Sequence, residues 1–387
     1  MLDRRVVSGM LLGLIVAAAT AQVQLNIVTY NIYQGIDNSS ADRAACGNLL
    51  TSIDFDGSGP NTSLMPDVVC LQETTSLNDL ESFRDDYLPG YQVIKGPTTD
   101  GFFSCGYFFR GDLTLLAFDE FSTPGPRPLL RLVVDVPGSP EHLVVYNAHF
   151  KAGSDQSDID TRRLEANTVA NRIAVDVEYG IDLDGDGTRE FFPTYYVFGA
   201  DLNQDDFSGD VVDALLTGGS NGLPTGLNDA RLETIYGAQF PTWLGNTYST
   251  RYSLSRRYDY ILVSDAIYDQ FDTNGDQTVD QDELNAAGFV YVSSDDNGLH
   301  ASGDQDATTV GSDHTPVLLT ITLPPDSVAG DLDGDGDVDL ADLSLMLAAY
   351  NTCDGDPNFN AAADLDGDGC VDLADLSILL SNYGYGT

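Results

Sequence analysis

The chain has 387 residues, 17 basic and 61 acidic side chains, and a formal charge of −44. That length leaves room for more than one domain, since domains usually run about 100 to 200 residues. A surface this acidic repels polyanions and weakens nonspecific binding to nucleic acid, counting against a nucleic-acid substrate without excluding one, while clustered aspartates suggest bound cations.

Arg4 and Arg5 precede an apolar stretch from Met10 to Ala19, and Ala19-Thr20-Ala21 before Gln22 fits a small-x-small cleavage site. Residues 1–21 therefore read as a signal peptide and the mature chain as secreted, extracellular or attached to a cell surface. The stretch is shorter than the roughly 20 residues that span a bilayer, so no stable membrane insertion is expected. Residues 22–323 alternate short β-branched runs with helical patterns. The spacing predicts strands over 25–32, 67–72, 91–95, 113–118, 129–136, 142–150, 194–200, 258–264, 288–293 and 316–323. Helices are predicted over 41–53, 76–87, 158–179 and 208–217, the third with Leu164, Val169, Ile173 and Val177 near helical spacing. Many strands with few helices suggest an α/β fold of two stacked sheets with helices outside. Pro324-Pro325 then opens a linker over 324–329, ahead of a C-terminal module at 330–387.

The five cysteines divide three and two. In a secreted chain Cys353 and Cys370 are expected to staple the small module. Cys70 lies inside the apolar run Val68-Val69-Cys70-Leu71 and reads as a buried thiol, which leaves Cys46 with Cys105 as the pair in the larger domain.

The C-terminal module is an internal repeat: Asp331–Tyr350 and Asp364–Tyr383 match at 15 of 20 positions, offset by 33 residues. The first copy places Asp331, Asp333, Asp335, Asp337, Asp339 and Asp342 at loop positions 1, 3, 5, 7, 9 and 12; the second places Asp364, Asp366, Asp368, Cys370, Asp372 and Asp375 there. Glycine stands at position 6 in both copies, and such spacing delivers the six to eight oxygens that Ca²⁺ takes. Position 7 ligates through its carbonyl, so Cys370 can serve there and still bond Cys353. Position 12 is Asp rather than the usual Glu. That departure, the duplication and the Leu-Ala-Asp-Leu-Ser helices resemble a type I dockerin, a small all-α calcium-binding module. The resemblance implies two calcium ions and a cohesin partner on a scaffold or surface protein. Two further acidic loops lie upstream. Asp272, Asn274, Asp276, Thr278 and Glu283 follow calcium-loop spacing with Gln277 in place of the turn glycine, a possible Ca²⁺ site. Asp182, Asp184 and Asp186 begin the same pattern, but Arg189 and Phe191 spoil it, and a solvated turn is expected.

Several apolar runs of the larger domain end in polar groups: Asn31, Glu73, His149 with Lys151 beyond it, Asp201 and Asn203, Asp259 at the start of a run, and Asp313-His314. Such groups can hold a metal, activate water and grip a phosphate if strand ends bring them together. In this order they resemble the endonuclease/exonuclease/phosphatase superfamily, which includes pancreatic-type deoxyribonucleases, apurinic endonucleases, sphingomyelinases and inositol polyphosphate phosphatases. The resemblance implies a four-layer α/β/β/α sandwich of two mixed sheets and Mg²⁺- or Mn²⁺-dependent hydrolysis of a phosphate ester. It assigns Glu73, with Asn31 and Asp313, to the metal; Asp201 and Asn203 to the water and phosphate; Asp259 to orienting His314; and His149 to the opposite side of the phosphate. His314 and Asp201 are both candidates for the general base. The family's Gly-Asp-Phe-Asn is here Gly199-Ala200-Asp201-Leu202-Asn203, one residue longer with the chemical pair kept.

Lys151, Arg162 and Arg163 are the candidate grips on substrate phosphate. Phe102, Phe103, Tyr107, Phe108 and Phe109 are expected in core and loop packing, and Trp243 stands where nuclease relatives keep an aromatic near the substrate. Having both His149 and His314 is similar to secreted deoxyribonucleases and sphingomyelinases. The leading expectation is a monomeric extracellular nuclease; the alternatives are a phosphomonoesterase or phospholipid phosphodiesterase, and a catalytically silent binding or scaffold protein.

Overall fold

The computed structural model describes residues 23–32, 43–44, 46–47, 50–51, 66–204, 210–230, 234–236, 242–243, 257–292, 312, 314–325, 328–334 and 337–385. The proposed signal peptide, Asp313 and Asp335 lie outside these residues. The chain divides into two compact units, Gln24–Leu323 and a second that holds Pro324–Thr387.

The larger unit has two sheets. The first contains β1 (Val23–Asn31), β2 (Val68–Thr74), β3 (Tyr91–Lys95), β4 (Ser104–Arg110), β10 (Thr234–Tyr236), β11 (Thr242–Trp243), β13 (Gly288–Val292) and β14 (Val317–Leu323), in the order β11-β10-β13-β14-β1-β2-β4-β3. The second contains β5 (Thr114–Phe121), β6 (Leu129–Asp135), β7 (His142–His149), β8 (Tyr195–Asp201), β9 (Leu227–Asp229) and β12 (Asp259–Ser264), in the order β5-β6-β7-β8-β12-β9. Both are mixed: β1 runs parallel to β2 and β7 to β8, while β2–β4 and β8–β12 are antiparallel. Helix α1 (Leu77–Tyr87) packs Leu80 and Phe83 with Val28, Tyr30, Val69 and Leu71 on the outer face of the first sheet. Helices α2 (Gln156–Tyr179) and α3 (Asp210–Thr217) cover the outer face of the second, where Val169, Ile173, Val212 and Leu215 meet Val144, Tyr146 and Phe198. The order is α/β/β/α, the four layers expected from the sequence. Each such apolar side chain contributes roughly 1.5–3 kcal/mol on full burial.

Side chains alternate across a strand, and this parity places the functional groups. Val28 and Tyr30 face α1, so Thr29 and Asn31 face the second sheet; Val144, Tyr146 and Ala148 face α2, so Val145, Asn147 and His149 face the first. Buried hydrogen bonds span the gap, from Tyr107 Oη to Val145 O at 2.9 Å and from Gln72 Nε2 to Asn147 Oδ1 at 2.9 Å.

Several expectations need correction. β4 is absent from the predicted strands because its run Ser-Cys-Gly-Tyr-Phe-Phe-Arg is buried on both faces and shows no alternation. In α2 the inward stripe is Arg162, Glu165, Ala166, Val169, Ala170 and Ile173, and Leu164 is exposed. Cys46 and Cys105 do not pair: Cys46, Cys70 and Cys105 are all buried free thiols. Cys46 Sγ sits 3.8 Å from Tyr30 Oη on the α1 side of the sheet, whereas Cys105 shares the parity of Tyr107 and faces the opposite sheet.

The smaller unit holds α4 (Leu340–Ala349) and α5 (Leu373–Asn382), each opened by a capping box, Asp339 with Asp342 and Asp372 with Asp375. A two-residue ladder, Thr352–Cys353 on Cys370–Val371, carries the Cys353–Cys370 disulfide. Its core is small: Val338, Met346, Ala349, Ala363, Val371 and Leu379. No helix among the described residues is long and apolar enough to cross a membrane.

Candidate active site

Register brings His149, Asp201 and Asp259 into one row, since His149 pairs with Asp201 across β7–β8 and Asp201 with Asp259 across β8–β12. All three have inward parity. Glu73 does not, because Gln72 already occupies the inward position on β2. A register shift between Leu71 and Thr74 and a left-handed φ of 58° at Glu73 turn its carboxylate back toward the row. Bulges commonly re-aim a side chain in this way, and a non-glycine residue at positive φ signals a conformation held by its surroundings. Asn203 is the second such residue here, with φ 49°. Its N–H donates to Asp201 Oδ1 at 2.8 Å, and its Nδ2 to Phe150 O at 3.1 Å.

Asn31 Nδ2 donates to Asp201 Oδ2 at 2.8 Å and to Glu73 Oε1 at 3.3 Å, tying the two sheets together at this end. His149 Nε2 lies 3.5 Å from Asp201 Oδ2 and 3.9 Å from Glu73 Oε1, and His314 Nε2 lies 3.7 Å from the same Asp201 oxygen. His314 Nδ1 is 2.6 Å from Asp259 Oδ2. A carboxylate only accepts, so Nδ1 carries the proton and Nε2 faces Asp201. Ser312 Oγ donates to Asn31 O at 2.6 Å and accepts the His314 N–H at 3.1 Å, which fastens this segment to β1.

Burial pushes Asp201 up to about 7, helped by the negative charge of Asp259 and opposed by His314 and the bond from Asn31. Burial holds His149 well below the usual histidine range, and the positive charges of Arg127 and His314 act in the same sense. At neutral pH His149 is thus an imidazole, not an imidazolium. The carboxylates of Glu73 and Asp201, which share the Asn31 amide as donor, offer hard oxygens of the kind Mg²⁺ and Mn²⁺ prefer, and a nearby cation favours the charged form of Asp201 that burial disfavours. The residues present fit such an ion.

The candidate phosphate grips are placed differently. Lys151 Nζ is 3.0 Å from Asp158 Oδ1, and exposed Arg163 pairs with Asp160 at 3.0 Å. Arg162 is buried and donates to Gln204 Oε1, Lys151 O and Gly153 O. A pocket of about 430 Å³ opens beside Asn203, lined by Gly153, Ser154, Ile159, Arg162, Gln204 and Tyr258. Tyr107, Phe108 and Phe109 are core residues and Phe102 is exposed. Sequence reasoning missed Arg127 and Glu165, both buried beside the site. For Glu165 a signal exists: with Arg162 it continues the Ala166, Val169, Ala170, Ile173 stripe toward the helix N-terminus, so charged side chains stand on a core-facing row.

In the smaller unit Asp331, Asp333 and Asp342 bring carboxylate oxygens within 4.8 Å of one another, as do Asp337, Asp339 and Asp342, and Asp364, Asp366 and Asp375. Asp368 accepts the Cys370 N–H at 2.9 Å, and Asp372 caps α5 through Ala374 N at 2.7 Å. Asp364 Oδ1 is buried without a protein hydrogen-bond partner. A buried oxygen of this kind fits a calcium ligand. In the loop over 272–283, Asp272 accepts the Gln277 N–H at 2.7 Å, Asp276 the Thr278 N–H at 2.9 Å and Glu283 the Asn274 N–H at 3.1 Å; Gln277 takes the left-handed φ of 68° that glycine usually supplies. At 182–190 the structure brings Glu190 up to Asp182 and Asp184, an arrangement the sequence reading did not anticipate.

No curated protein matches the sequence. Solved structures resemble this chain at low identity. A truncated TDP2 from Caenorhabditis elegans is 14% identical with TM-score 0.46, covering 77% of this chain and 97% of that one. The human Nocturnin catalytic domain is 15% identical with TM-score 0.47, covering 79% and 96%. An endonuclease/exonuclease/phosphatase from Bacteroides vulgatus is 14% identical with TM-score 0.46, covering 78% and 99%. The dockerin type I model matches residues 329–382, and that of the endonuclease/exonuclease/phosphatase family matches residues 28–314. On those matches the chain belongs to the endonuclease/exonuclease/phosphatase family of phosphoric ester hydrolases and carries a C-terminal type I dockerin domain.

Proposed function

We propose that this chain is a secreted, Mg²⁺- or Mn²⁺-dependent phosphodiesterase, an extracellular nuclease that cleaves nucleic-acid phosphodiester bonds and is held to a cohesin by its dockerin. The meeting of Asn31, Glu73, His149, Asp201 and the Asp259–His314 pair at one end of the two sheets carries this reading. Glu73, with Asn31 and Asp313, would hold the ion, which when bound polarises a phosphoryl oxygen and offsets developing charge. Asp201, held in place by Asn31 and by the Asn203 N–H, takes the proton of the attacking water. His314, oriented by the bond between its Nδ1 and Asp259, and His149, on the other side of Asp201, face the phosphoryl oxygens. Asn203 fixes the Asp201 carboxylate through its N–H. The pocket beside Asn203 has room for a nucleoside of the substrate. In the dockerin, Asp331, Asp333, Asp335, Asp337, Asp339 and Asp342 would hold one Ca²⁺, and Asp364, Asp366, Asp368, the Cys370 carbonyl, Asp372 and Asp375 a second.

Incubation of the purified protein with plasmid DNA, RNA, sphingomyelin and inositol phosphates, with Mg²⁺ and then with chelator, tests this. Metal-dependent cleavage of DNA or RNA is the expected result. Release of phosphate or phosphocholine alone would reassign the substrate, and no cleavage of any phosphoester would remove the enzymatic reading.

A further inference from the structure

The backbone that leaves β7 after His149 is held by three buried charged side chains that the proposed chemistry does not use. Arg127 donates Nε to His149 O at 2.9 Å, Nη2 to Phe150 O at 2.8 Å and Nη1 to Asp100 Oδ2 at 2.7 Å. Glu165 Oε2 accepts the Lys151 N–H at 2.8 Å. Arg162 gives Nη1 to Lys151 O and to Gly153 O, each at 2.8 Å. The same turn reaches β8: Phe150 N donates to Asp201 O at 2.9 Å, and Phe150 O also accepts from Asn203 Nδ2 at 3.1 Å.

Buried peptide groups need partners, but neutral ones would do. Burying an ion costs several kcal/mol even when paired, so stability alone does not call for three. A guanidinium adds geometry, because its planar fork fixes two carbonyls relative to each other in a way that water or lysine does not. The surroundings are closed as well. A Cβ on Gly125 would fall 1.6 Å from Glu165 Oε1, so the loop before β6 lies directly on that carboxyl. Displacing a catalytic group by about 1 Å can cost on the order of a hundredfold in rate.

We propose that Arg127, Glu165 and Arg162 are positioning residues that set the His149 imidazole against the phosphate through the backbone of residues 149–153. The inference rests on the role given to His149 above. It is tested by steady-state hydrolysis of bis(p-nitrophenyl) phosphate with Mg²⁺, using Arg127→Met and Arg127→Lys in the wild-type and His149→Ala backgrounds, with circular dichroism to confirm folding. Arg127→Met is expected to lower kcat about 30-fold with KM within about threefold, and Arg127→Lys, which keeps charge but loses the fork, about tenfold. In the His149→Ala background either change should cost no more than about threefold, because the group being positioned is gone. Equal losses in both backgrounds, wild-type kcat in Arg127→Lys, or a raised KM at unchanged kcat would overturn the proposal. If Arg127→Met does not fold, Arg127→Lys alone decides. Wild-type turnover in His149→Ala would instead sink the catalytic reading on which it rests.

Discussion

The sandwich and the dockerin gather carboxylates by opposite routes. In the sandwich, Asn31 reaches Asp201 across 170 residues and Ser312 reaches Asn31 across 281, so the site exists only once two full sheets have packed. In the dockerin, Asp342 binds the N–H groups of Leu332 and Asp333, ten and nine residues away, and Asp375 repeats the pattern at Leu365 and Asp366. One arrangement inherits its rigidity from a large core; the other has, among the described residues, six fully buried apolar side chains and depends on its own loops. Where shape comes from distant packing, an ion is needed for chemistry. Where it comes from a twelve-residue loop crowded with carboxylates, an ion would serve the fold itself.

That contrast can be broken most decisively with a chelator. Removing calcium should abolish the helical circular dichroism signal of the dockerin and its cohesin binding, while the sandwich keeps its own melting transition. A dockerin still folded in excess chelator would erase the distinction. Next in size, Asp201→Ala and His314→Ala should each lower turnover by at least about a hundredfold without unfolding the sandwich. Near-normal turnover in either variant would mean that the packed end of the sheets is not the reactive site. The Cys353–Cys370 bond closes a separation of 17 residues, so Cys353→Ala with Cys370→Ala should cost the dockerin roughly 3 kcal/mol in calcium, read by urea melts. An unchanged melt would show that calcium alone sets its stability.

A smaller effect comes from Glu165, which burial raises from 4.5 to about 7 against the pull of the Lys151 N–H, Arg127 and Arg162. A raised carboxyl favours the folded state fully below its unfolded value, and that term is lost as pH climbs through the folded value. Between pH 5 and pH 8 the wild type should therefore lose stability relative to Glu165→Gln, by on the order of 3 kcal/mol at most. Denaturant melts at the two pH values giving the same difference would show that Glu165 does not titrate in this range.

The layers of the fold and the dockerin were legible because apolar periodicity and a repeated loop are local signals. Candidate site residues were legible one by one as polar endings to apolar runs, although Asp313 lies outside the described structure. Their mutual geometry was not. Nothing in Gln72-Glu73 reveals which of the two faces inward, because a register shift and a positive φ decide it after the strand has paired. Arg162 read as a solvent-facing phosphate grip because cations usually stay on helix surfaces, whereas here three carbonyl and amide oxygens draw it inside. The Cys46–Cys105 pairing failed because a strand's two faces look alike in a count of cysteines. Opposite faces of one sheet cannot be bridged.

Gly199 faces inward two residues before Asp201, and a Cβ there would stand 3.0 Å from Cys70 Sγ and 3.2 Å from Thr29 Cβ. It therefore acts as a shim of zero thickness between the layers. A methyl group at 199 would press on Cys70 and Thr29, and one of the layers would have to give by a few tenths of an ångström. The closeness of the two sheets at this end thus depends on a position that carries no side chain.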